Sequence, residues 1–469
     1  MSILIMKFGG TSVGSADAID QVCSIVKSYS QNWDGLVVVV SAMRGVTDTL
    51  IQCADRAVQG EEEVYQSLIE QLKTSHNSVI DEVVSDEVER QRLSAQLDEY
   101  ISELDAYCRS IHVLGEVTAR GMDTISSLGE RMNAPLVAAA LRGKEVKAMS
   151  VDASQLIVTD ASFQNANPIE QATREKVSEV LIPLLDEKTI PVVTGFVAAT
   201  QDGILTTLGR GGSDYTAAIL GDSLDASEVW TWTDVDGVMT ADPRIVHNAR
   251  VIPELSFREV SELAYFGAKV LHPKTLRPII ERDIPLWVKN TFNPESPGTK
   301  VIRTSPSFEG KVTAISTIHD LSLVTVEGRG MLGIPGIAAR TFAAVARQGA
   351  SVLMISQASS EQSICFVIPT QSVPAVIQSI DSEMELELSR RDIDRVWAQP
   401  EIVIVTAVGA GLRHTPGIAG RVFSALGEAN INVIAIAQGS SEYSISIVVS
   451  AEDADDAMRQ IHQEVILNG

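Results

Sequence analysis

A lysine stands directly before two glycines near the start of the chain. The apolar run of residues 3–6 leads into Lys7, Phe8, Gly9 and Gly10. Backbone N–H groups can approach a phosphate closely where side chains are absent, and a neighbouring lysine can neutralise its charge. A strand-to-helix turn can also need glycine for backbone reasons alone. The pattern therefore indicates phosphate binding without establishing it.

A second glycine turn carries an arginine. Residues 209–214 read Gly-Arg-Gly-Gly-Ser-Asp and precede a helical stretch. Ser213 and Asp214 suit helix capping, but capping does not explain an arginine among three glycines. The Arg210 guanidinium is a planar fork that fits a carboxylate or a phosphate. Two such turns in one domain predict two anionic groups held face to face.

Further polar residues follow apolar segments. Thr233 and Asp234 end a strand-like run, and the carboxyl ends of strands are where α/β sheets bind ligands. Lys269 lies in a largely apolar segment, which makes a shielded ammonium plausible. Thr47 follows the second strand, and Glu130 is a carboxylate in a sparsely charged stretch. Taken singly, each of these fits a cap or a solvated charge equally well.

Lysines, an arginine, glycine turns and carboxylates together suit in-line phosphoryl transfer. That chemistry depends mostly on positioning and charge neutralisation. The Walker pattern with Lys-Ser/Thr after the glycines is absent. The seven histidines offer no nucleophile–histidine pair, and no His/Cys spacing suits zinc.

An α/β domain must position these residues. Strand-like runs alternate with helical segments over positions 1–300, which predicts a largely parallel sheet. The predicted strands are residues 3–8, 36–41, 146–150, 191–197, 229–233 and 285–290. Residues 61–111 are charged, helical in period and poor in Gly and Pro, so we expect a helical insertion there.

Charge and composition exclude several classes of protein. There are 37 Lys and Arg against 61 Asp and Glu, giving a net charge of −24, so bulk binding of nucleic acid or anionic membrane is not expected. Four scattered cysteines fit free thiols in a reducing compartment. No signal pattern or bilayer-length apolar run is present. A cytoplasmic protein is the expectation.

The C-terminal part contains an internal repeat. Residues 335–340 return at 416–421, and residues 355–361 return at 436–442, both at the same offset. Each copy is predicted to form strand, loop, helix, strand, turn, strand and helix. Two copies of one unit usually stack or pair, because each leaves an apolar face uncovered. The repeat therefore predicts a pair of ligand-binding or dimerisation modules.

In combination, these motifs resemble aspartate kinase over essentially the whole chain. The resemblance rests on residues 7–13, 209–217, 232–235, 242–244 and 266–273 together with the duplicated C-terminal module. It implies an amino-acid-kinase α/β/α sandwich with a mainly parallel sheet, followed by two α+β ACT domains. The implied boundaries are 1–305 for the kinase, with an insertion at about 61–112, then 312–395 and 400–469 for the ACT domains.

The family's reaction and site residues follow from the same resemblance. ATP would phosphorylate the β-carboxylate of L-aspartate, with Mg²⁺, as the first step towards lysine, threonine and methionine. The implied catalytic residues are Lys7, Gly10, Asp214 and Lys269. The implied aspartate-binding residues are Ser41, Thr47, Glu130, Arg210 and Ser213. The implied nucleotide-binding residues are Lys7, Phe8, Gly9, Gly10, Thr233, Asp234, Met239, Arg244 and Lys269. Met239 stands where some relatives carry tyrosine.

The repeat resembles ACT domains that sense end-product amino acids, most closely those of threonine-sensitive members. The implied effector-binding residues are Gln357, Gln438, Ile334, Gly336, Ser360 and Glu361. Threonine is the expected inhibitor, and lysine is the alternative effector. Alternatively, the two glutamines only pair across an interface between ACT units. A homodimer or a dimer of dimers through these domains is expected.

Two other functions remain open from the sequence. The first is another amino-acid kinase, acting for example on glutamate or acetylglutamate. The second is a non-catalytic amino-acid sensor that retains the kinase fold, against which the intact Lys7, Gly9, Gly10, Asp214 and Lys269 argue.

Overall fold

A computed structural model describes residues 1–267, 271, 273–303, 312–331, 334–357, 362–412, 415–438 and 443–468. The chain forms two compact units. The first comprises Met1–Val238, Val251–Phe257 and Val270–Ser305. The second comprises Met239–Arg250, Arg258–Lys269 and Pro306–Gly469.

The first unit is an α/β structure. Its strands are β1 (Ile3–Phe8), β2 (Gly35–Val40), β3 (Ala148–Val151), β4 (Val158–Thr159), β5 (Ile190–Thr194), β6 (Val197–Thr200), β7 (Leu205–Thr207), β8 (Glu228–Thr233), β9 (Glu254–Ser256), β10 (Leu286–Asn290) and β11 (Thr299–Ile302). Its helices are α1 (Ala16–Tyr29), α2 (Val46–Val58), α3 (Glu62–Val83), α4 (Glu87–Leu114), α5 (Ala119–Gly143), α6 (Glu170–Asp186), α7 (Gly212–Ser223) and α9 (Pro273–Arg282). α8 (Phe257–Tyr265) begins at the unit boundary.

Eight strands of the described residues form one sheet in the order β3-β5-β2-β1-β8-β10-β11-β9. Every pairing is parallel except β10 with β11. β1 and β2 are buried at all six positions, as expected for strands covered on both faces. The predicted fold class is therefore confirmed.

All six predicted strands are present with small shifts at their ends. The predicted strand 191–197 divides into β5 and β6, because the chain bends at Gly195 and Phe196. A side chain at position 195 would lie 2.6 Å from the Ser213 side chain. Phe196 itself adopts φ 67°, a conformation uncommon outside glycine.

Residues 61–111, which the sequence predicts to be helical, form α3 and α4, and their being an insertion stays a prediction. Their apolar stripes, with Leu72 and Leu104 among the buried residues, join the main core of the first unit. Asp86 caps α4 by accepting a hydrogen bond from the Glu89 N–H. Within the described residues, none of the helices is long and apolar enough to cross a bilayer.

The second unit follows the sequence repeat closely. Its elements are β12 (Ala314–Glu327), α10 (Ile337–Arg347), β13 (Met354–Gln357), β14 (Ser363–Pro369), α11 (Val373–Glu383), α12 (Glu385–Arg390), β15 (Arg395–Val408), α13 (Ile418–Glu428), β16 (Ala435–Gln438), β17 (Ser444–Ser450) and α14 (Ala454–His462). β12, α10, β13 and β14 return in the same order as β15, α13, β16 and β17. The predicted order of helices and strands in each copy is confirmed, and the predicted turn of each copy lies outside the described residues.

The two modules exchange halves of their long central strands. Strand order is β13-β14-β12-β15-β17-β16. Ile315, early in β12, joins the core of the second module with Val405. Val396, early in β15, packs against the core of the first module, which includes Val324. The repeat does not reveal this exchange, and the linear boundaries 312–395 and 400–469 stay predictions.

Two segments that precede the repeat in the sequence pack within the second unit. Ala241 and Val246 join the core of the second module. The Thr240 carbonyl accepts a hydrogen bond from the Ile315 N–H at 2.8 Å, and the Thr240 hydroxyl lies 2.9 Å from His462 Nε2. Phe266, which follows α8, packs in a core cluster with residues of the sheet that β12–β17 form.

The two modules hold equivalent loops with different carboxylates. In the first module, Asp394 accepts a hydrogen bond from the Arg329 N–H at 3.2 Å. The equivalent N–H in the second module belongs to Ala410, and Thr313 stands in the place of Asp394. There Glu259 of α8 accepts from the Ala410 N–H at 3.1 Å and from the Thr313 hydroxyl at 2.7 Å. A side chain of α8 thus stabilises the loop of the second module.

Candidate active site

A cavity of about 540 Å³ opens in the first unit beside the ends of β1 and β2. It is lined by the two glycine turns and by the side of α5. Eight predicted site residues line it: Lys7, Gly10, Ser41, Thr47, Glu130, Arg210, Ser213 and Asp214. The structure therefore brings together residues that lie far apart in the sequence.

An ion pair joins the two glycine turns. Lys7 Nζ lies 2.8 Å from Asp214 Oδ1, and both side chains are largely buried. Asp214 lies in the first turn of α7, and its Oδ1 also accepts from the Thr231 hydroxyl at 3.4 Å. This pairing fixes the lysine ammonium at the cavity wall, where it can meet a developing negative charge.

The first turn needs glycine for close backbone approach. A Cβ atom at position 10 would lie 2.9 Å from the Ala42 carbonyl oxygen. The Gly10 carbonyl accepts from the Arg44 N–H at 3.1 Å, which ties the turn to the loop after β2. The Gly9 N–H donates to the Trp232 carbonyl at 3.1 Å. A phosphate would have to compete with that carbonyl for the Gly9 N–H.

The second turn presents an exposed arginine between two left-handed glycines. Gly209 and Gly211 have φ angles of 78° and 72°, which only glycine adopts readily. Arg210 is exposed, whereas Ser213 lies in the first turn of α7. The guanidinium is thus placed at the cavity with room to take up an anion.

Glu130 is a buried carboxyl group with an open hydrogen-bonding position. Its side chain lies on α5 and the residue is 3% exposed. Its Oε2 has no hydrogen-bond partner among the described residues. Burial raises the pKa of Glu130 from 4.5 to about 8, although an Ala42 backbone hydrogen bond and the Lys7 charge oppose the rise. A cationic group entering the cavity would satisfy this oxygen and restore the ionised form.

The loop after β2 brings two hydroxyl residues to the cavity. The Ser41 N–H donates to the Phe8 carbonyl at 3.1 Å, and its own carbonyl accepts from Asn133 at 2.7 Å. Gly45, at φ 81°, directly precedes α2, so Thr47 lies in the first helical turn. Their positions agree with the predicted substrate contacts, which stay predictions.

The predicted nucleotide residues of the first unit lie around the end of β8. Thr233 ends this strand, and its hydroxyl donates to Asp234 at 3.2 Å. The Phe8 side chain is fully buried, and its ring lies 5.9 Å from that of Trp232 in a stacked arrangement. Only the backbone of Phe8 is therefore available to a ligand.

The other predicted nucleotide residues lie elsewhere. Met239 and Arg244 belong to the second unit. Arg244 is exposed and paired with Asp242, whose pKa this hydrogen bonding lowers. Lys269 lies outside the described residues. The roles of all three stay predictions.

The predicted effector residues occupy equivalent places in the two modules. Gln357 ends β13 and Gln438 ends β16, and both are exposed. Ile334 is also exposed, and Gly336, at φ 93°, precedes α10. Ser360 and Glu361 lie outside the described residues.

Sequence reasoning did not single out several of the cavity residues, among them Asp123 and Phe196. Asp123 lines the cavity and is fully buried. Its position seven residues before Glu130 places both on one face of α5, a signal that was available. Phe196 also lines the cavity. No pattern distinguishes Phe196, because an apolar residue after a strand predicts core packing.

Comparison with known proteins agrees with this fold. Residues 2–290 match the model of the amino acid kinase family, and residues 324–384 and 405–465 match an ACT domain. The chain belongs to the amino acid kinase family and carries two ACT domains.

Its relatives include the aspartokinases. A structure of E. coli aspartokinase III, in complex with aspartate and ADP in the R-state, superposes with a TM-score of 0.82 at 30% identity, covering 99% of this chain and 100% of that one. The T-state structure of that enzyme, in complex with lysine and aspartate, gives 0.81 at 30% identity over 99% of both chains.

Relatives known by sequence are similar over almost the whole chain. Bifunctional aspartokinase/homoserine dehydrogenase 1 of Arabidopsis thaliana, a chloroplastic protein, is 37% identical over 99% of this chain and 51% of its own length. Aspartokinase 1 of the same organism, also chloroplastic, is 32% identical over 99% of this chain and 80% of its own length. The chain thus spans about half the length of the bifunctional relatives.

Proposed function

We propose that the chain is an aspartate kinase, which transfers the γ-phosphoryl group of ATP to the β-carboxylate of L-aspartate. The carrying observation is the polarity of the cavity. Three charged or ionisable groups line the same cavity: the Lys7 ammonium, which Asp214 holds, the buried Glu130 carboxyl, which has one unpaired oxygen, and the exposed Arg210 guanidinium. This set complements a small amino acid with two carboxylates.

Substrate orientation follows from these charges. The α-ammonium of aspartate would occupy the open position at Glu130, which is ionised once a cation is beside it. The α-carboxylate would pair with Arg210 as a bidentate ligand. The β-carboxylate is then directed towards Lys7. Thr47, Ser41 and Ser213 supply hydroxyls along the same walls.

Phosphoryl transfer needs little covalent assistance from the protein. A β-carboxylate oxygen forms the bond to the γ-phosphorus while the bond from that phosphorus to the bridging oxygen breaks, and ADP leaves with the electron pair. The attacking carboxylate is ionised at neutral pH, so no general base is required. Lys7, held by Asp214, stabilises charge on the transferring group.

The nucleotide would lie towards the end of β8, near Thr233 and Asp234. On the family resemblance, we also assign nucleotide contacts to Met239, Arg244 and Lys269. When bound with the phosphates, Mg²⁺ supplies further charge neutralisation.

A coupled ADP-release assay tests the function directly. Aspartate, glutamate and N-acetylglutamate are compared as acceptors, and the acyl phosphate is trapped with hydroxylamine. Aspartate should give the highest kcat/KM. Equal or better use of glutamate would contradict the assignment, and no turnover with any acceptor would favour a non-catalytic sensor.

We further propose feedback inhibition by L-threonine through Gln357 and Gln438, as a step controlling lysine, threonine and methionine synthesis. A glutamine amide can bond both the polar groups of an amino acid and a side-chain hydroxyl. Activity should fall with threonine, and Gln357→Ala and Gln438→Ala should raise the half-inhibitory concentration. Inhibition by lysine instead would reassign the effector, and no response to either would contradict regulation.

Oligomer formation through the ACT domains belongs to the same proposal. The edge strands β13 and β16 expose Ile355 and Ile436 at equivalent positions. Sedimentation should give at least a dimer, and Ile355→Asp should weaken it. A monomeric wild-type chain at micromolar concentration would contradict this arrangement.

A further inference from the structure

Asp123 holds two loops of the cavity at once. Its Oδ1 and Oδ2 accept from the Gln164 N–H at 3.0 and 2.9 Å. They also accept from the Thr207 N–H at 3.1 Å and from the Thr207 hydroxyl at 2.7 Å. The residue is fully buried, so these bonds replace water that the carboxylate has lost. Nothing in the proposed chemistry uses Asp123 itself.

The first loop is fixed in an unusual conformation. Gln164 lines the cavity and has φ 68°, a value that is uncommon for a residue with a side chain. Such a conformation persists only where surrounding contacts determine it. The carboxylate bonded to its N–H is one of those contacts.

The second loop carries the arginine turn. Thr207 ends β7 and is followed two residues later by Gly209, the first glycine of that turn. A Cβ atom at Gly209 would lie 2.9 Å from Asn165 Oδ1 and 3.0 Å from the Gln164 carbonyl. The two loops are therefore in close contact, and shifting either one would shift the backbone next to Arg210.

Asp123 and Glu130 are joined by a rigid element. They are seven residues apart on α5, about 10.5 Å along the helix axis. Glu130 faces the cavity at one point, and Asp123 secures the backbone leading to Arg210 at the other. The helix thus sets the spacing between the two groups that would hold the α-ammonium and the α-carboxylate of the substrate.

We propose that Asp123 is a positioning residue that places the Arg210 turn relative to Glu130 and thereby selects a four-carbon over a five-carbon amino diacid. This inference rests on the proposed function. An acceptor with one more methylene would bring its distal carboxylate to the wrong place when its ammonium and α-carboxylate are held. Loosening the turn should relax that selection.

The variant Asp123→Asn tests the proposal, because it keeps the shape but directs an amide NH₂ at backbone N–H donors. We expect KM for aspartate to rise 10-fold or more and the aspartate-to-glutamate ratio of kcat/KM to fall at least 10-fold. KM for ATP should stay within 2-fold of wild type. Loss of folded protein alone would lower apparent kcat and leave both KM values unchanged.

A matched control is available away from both loops. Asp86 caps α4 by accepting a hydrogen bond from the Glu89 N–H, and it does not line the cavity. Asp86→Asn should leave the aspartate-to-glutamate ratio unchanged, because asparagine also caps helices well. Equal effects of the two substitutions on KM and selectivity would overturn the proposal.

Thr207 provides a second test should Asp123→Asn fail to fold. Thr207→Val removes the hydroxyl donor, whereas Thr207→Ser keeps it. Valine should reproduce the change in selectivity and serine should rescue it; identical wild-type selectivity in both would overturn the proposal.

A wild-type chain without aspartate kinase activity would contradict the proposed function and this inference together, whereas an active, selective wild type with unaffected variants would contradict this inference alone.

Discussion

The pKa of Glu130 predicts a pH-dependent affinity for aspartate. The group is buried, its pKa is raised to about 8, and one oxygen has no partner among the described residues. Below pH 8 the free enzyme holds a neutral carboxylic acid, which attracts an ammonium weakly. Aspartate must then bind the minor, ionised form, so its apparent KM should rise as the pH falls.

The magnitude follows from a one-proton titration. With a pKa of about 8, the ionised fraction falls roughly 25-fold between pH 8.5 and pH 6.5, and KM for aspartate should rise by about that factor. Glu130→Gln should remove this dependence. It should also raise KM at pH 8.5 by roughly 13- to 150-fold, since a hydrogen bond to a charged group contributes about 1.5–3 kcal/mol.

The stability of the protein should change in the opposite direction. The folded chain keeps the Glu130 proton up to about pH 8, whereas an unfolded chain releases it near 4.5. Stability is therefore lost as pH rises through this window, by at most about 5 kcal/mol. Glu130→Gln should be more stable than wild type at pH 8.5 although it binds aspartate less well.

Initial rates over a matrix of aspartate and ATP concentrations at five pH values measure both KM values on the same enzyme. Urea denaturation at pH 6 and pH 8.5 measures stability. KM for ATP serves as the internal control and should not follow the Glu130 titration. A KM for aspartate that is flat from pH 6.5 to 8.5, or a Glu130→Gln variant with wild-type affinity, would refute the reasoning.

Three further predictions concern other parts of the structure. Lys7→Met should lower kcat by roughly 10²–10³-fold in the coupled assay with the fold intact by circular dichroism, because a preorganised cation is lost from the transition state; unchanged kcat would exclude that role. Gly10→Ala should lower kcat/KM by about 10-fold or more, since its Cβ would lie 2.9 Å from the Ala42 carbonyl; Gly143→Ala, which meets open space, is the control and should be neutral. Glu259→Ala should destabilise the chain by about 2–5 kcal/mol in urea denaturation by leaving two donors unpaired, whereas Asp394→Ala should cost less than about 1 kcal/mol; equal values would contradict the different burial of the two sites.

Local pattern was sufficient for much of the fold. Strands β1 and β2 are apolar runs, interrupted in β1 by Lys7, and their type does not depend on distant partners. The constant offset between the two copies likewise predicts the repeated elements of the second unit, because the comparison needs only the local sequence of each copy. The exchange of strand halves between β12 and β15 depends on which long-range pairing is formed, and sequence spacing does not encode that choice.

The site was predictable where residue type reveals chemistry. Lys7, Arg210 and Asp214 are charged groups in glycine turns, and the structure places them around one cavity. Asp123 accepts hydrogen bonds from Gln164 and Thr207, which lie 41 and 84 residues further along the chain, so these contacts are visible only in the structure. The placement of residues 239–250 in the second unit is likewise a tertiary event that neither charge nor periodicity reports.

The loop bonds of Glu259 bear on how the protein can be divided and rebuilt. Two duplicated modules could replace one another if each supplied the carboxylate that bonds its own loop. In the second module, however, that carboxylate is Glu259 of α8, a helix that precedes both modules in the sequence. A fragment starting at position 312 would leave the Ala410 N–H and the Thr313 hydroxyl without that acceptor. Chimaeras that transplant the regulatory half should therefore carry residues 258–265 with it, and a first module placed in the second position would bring a carboxylate into conflict with Glu259.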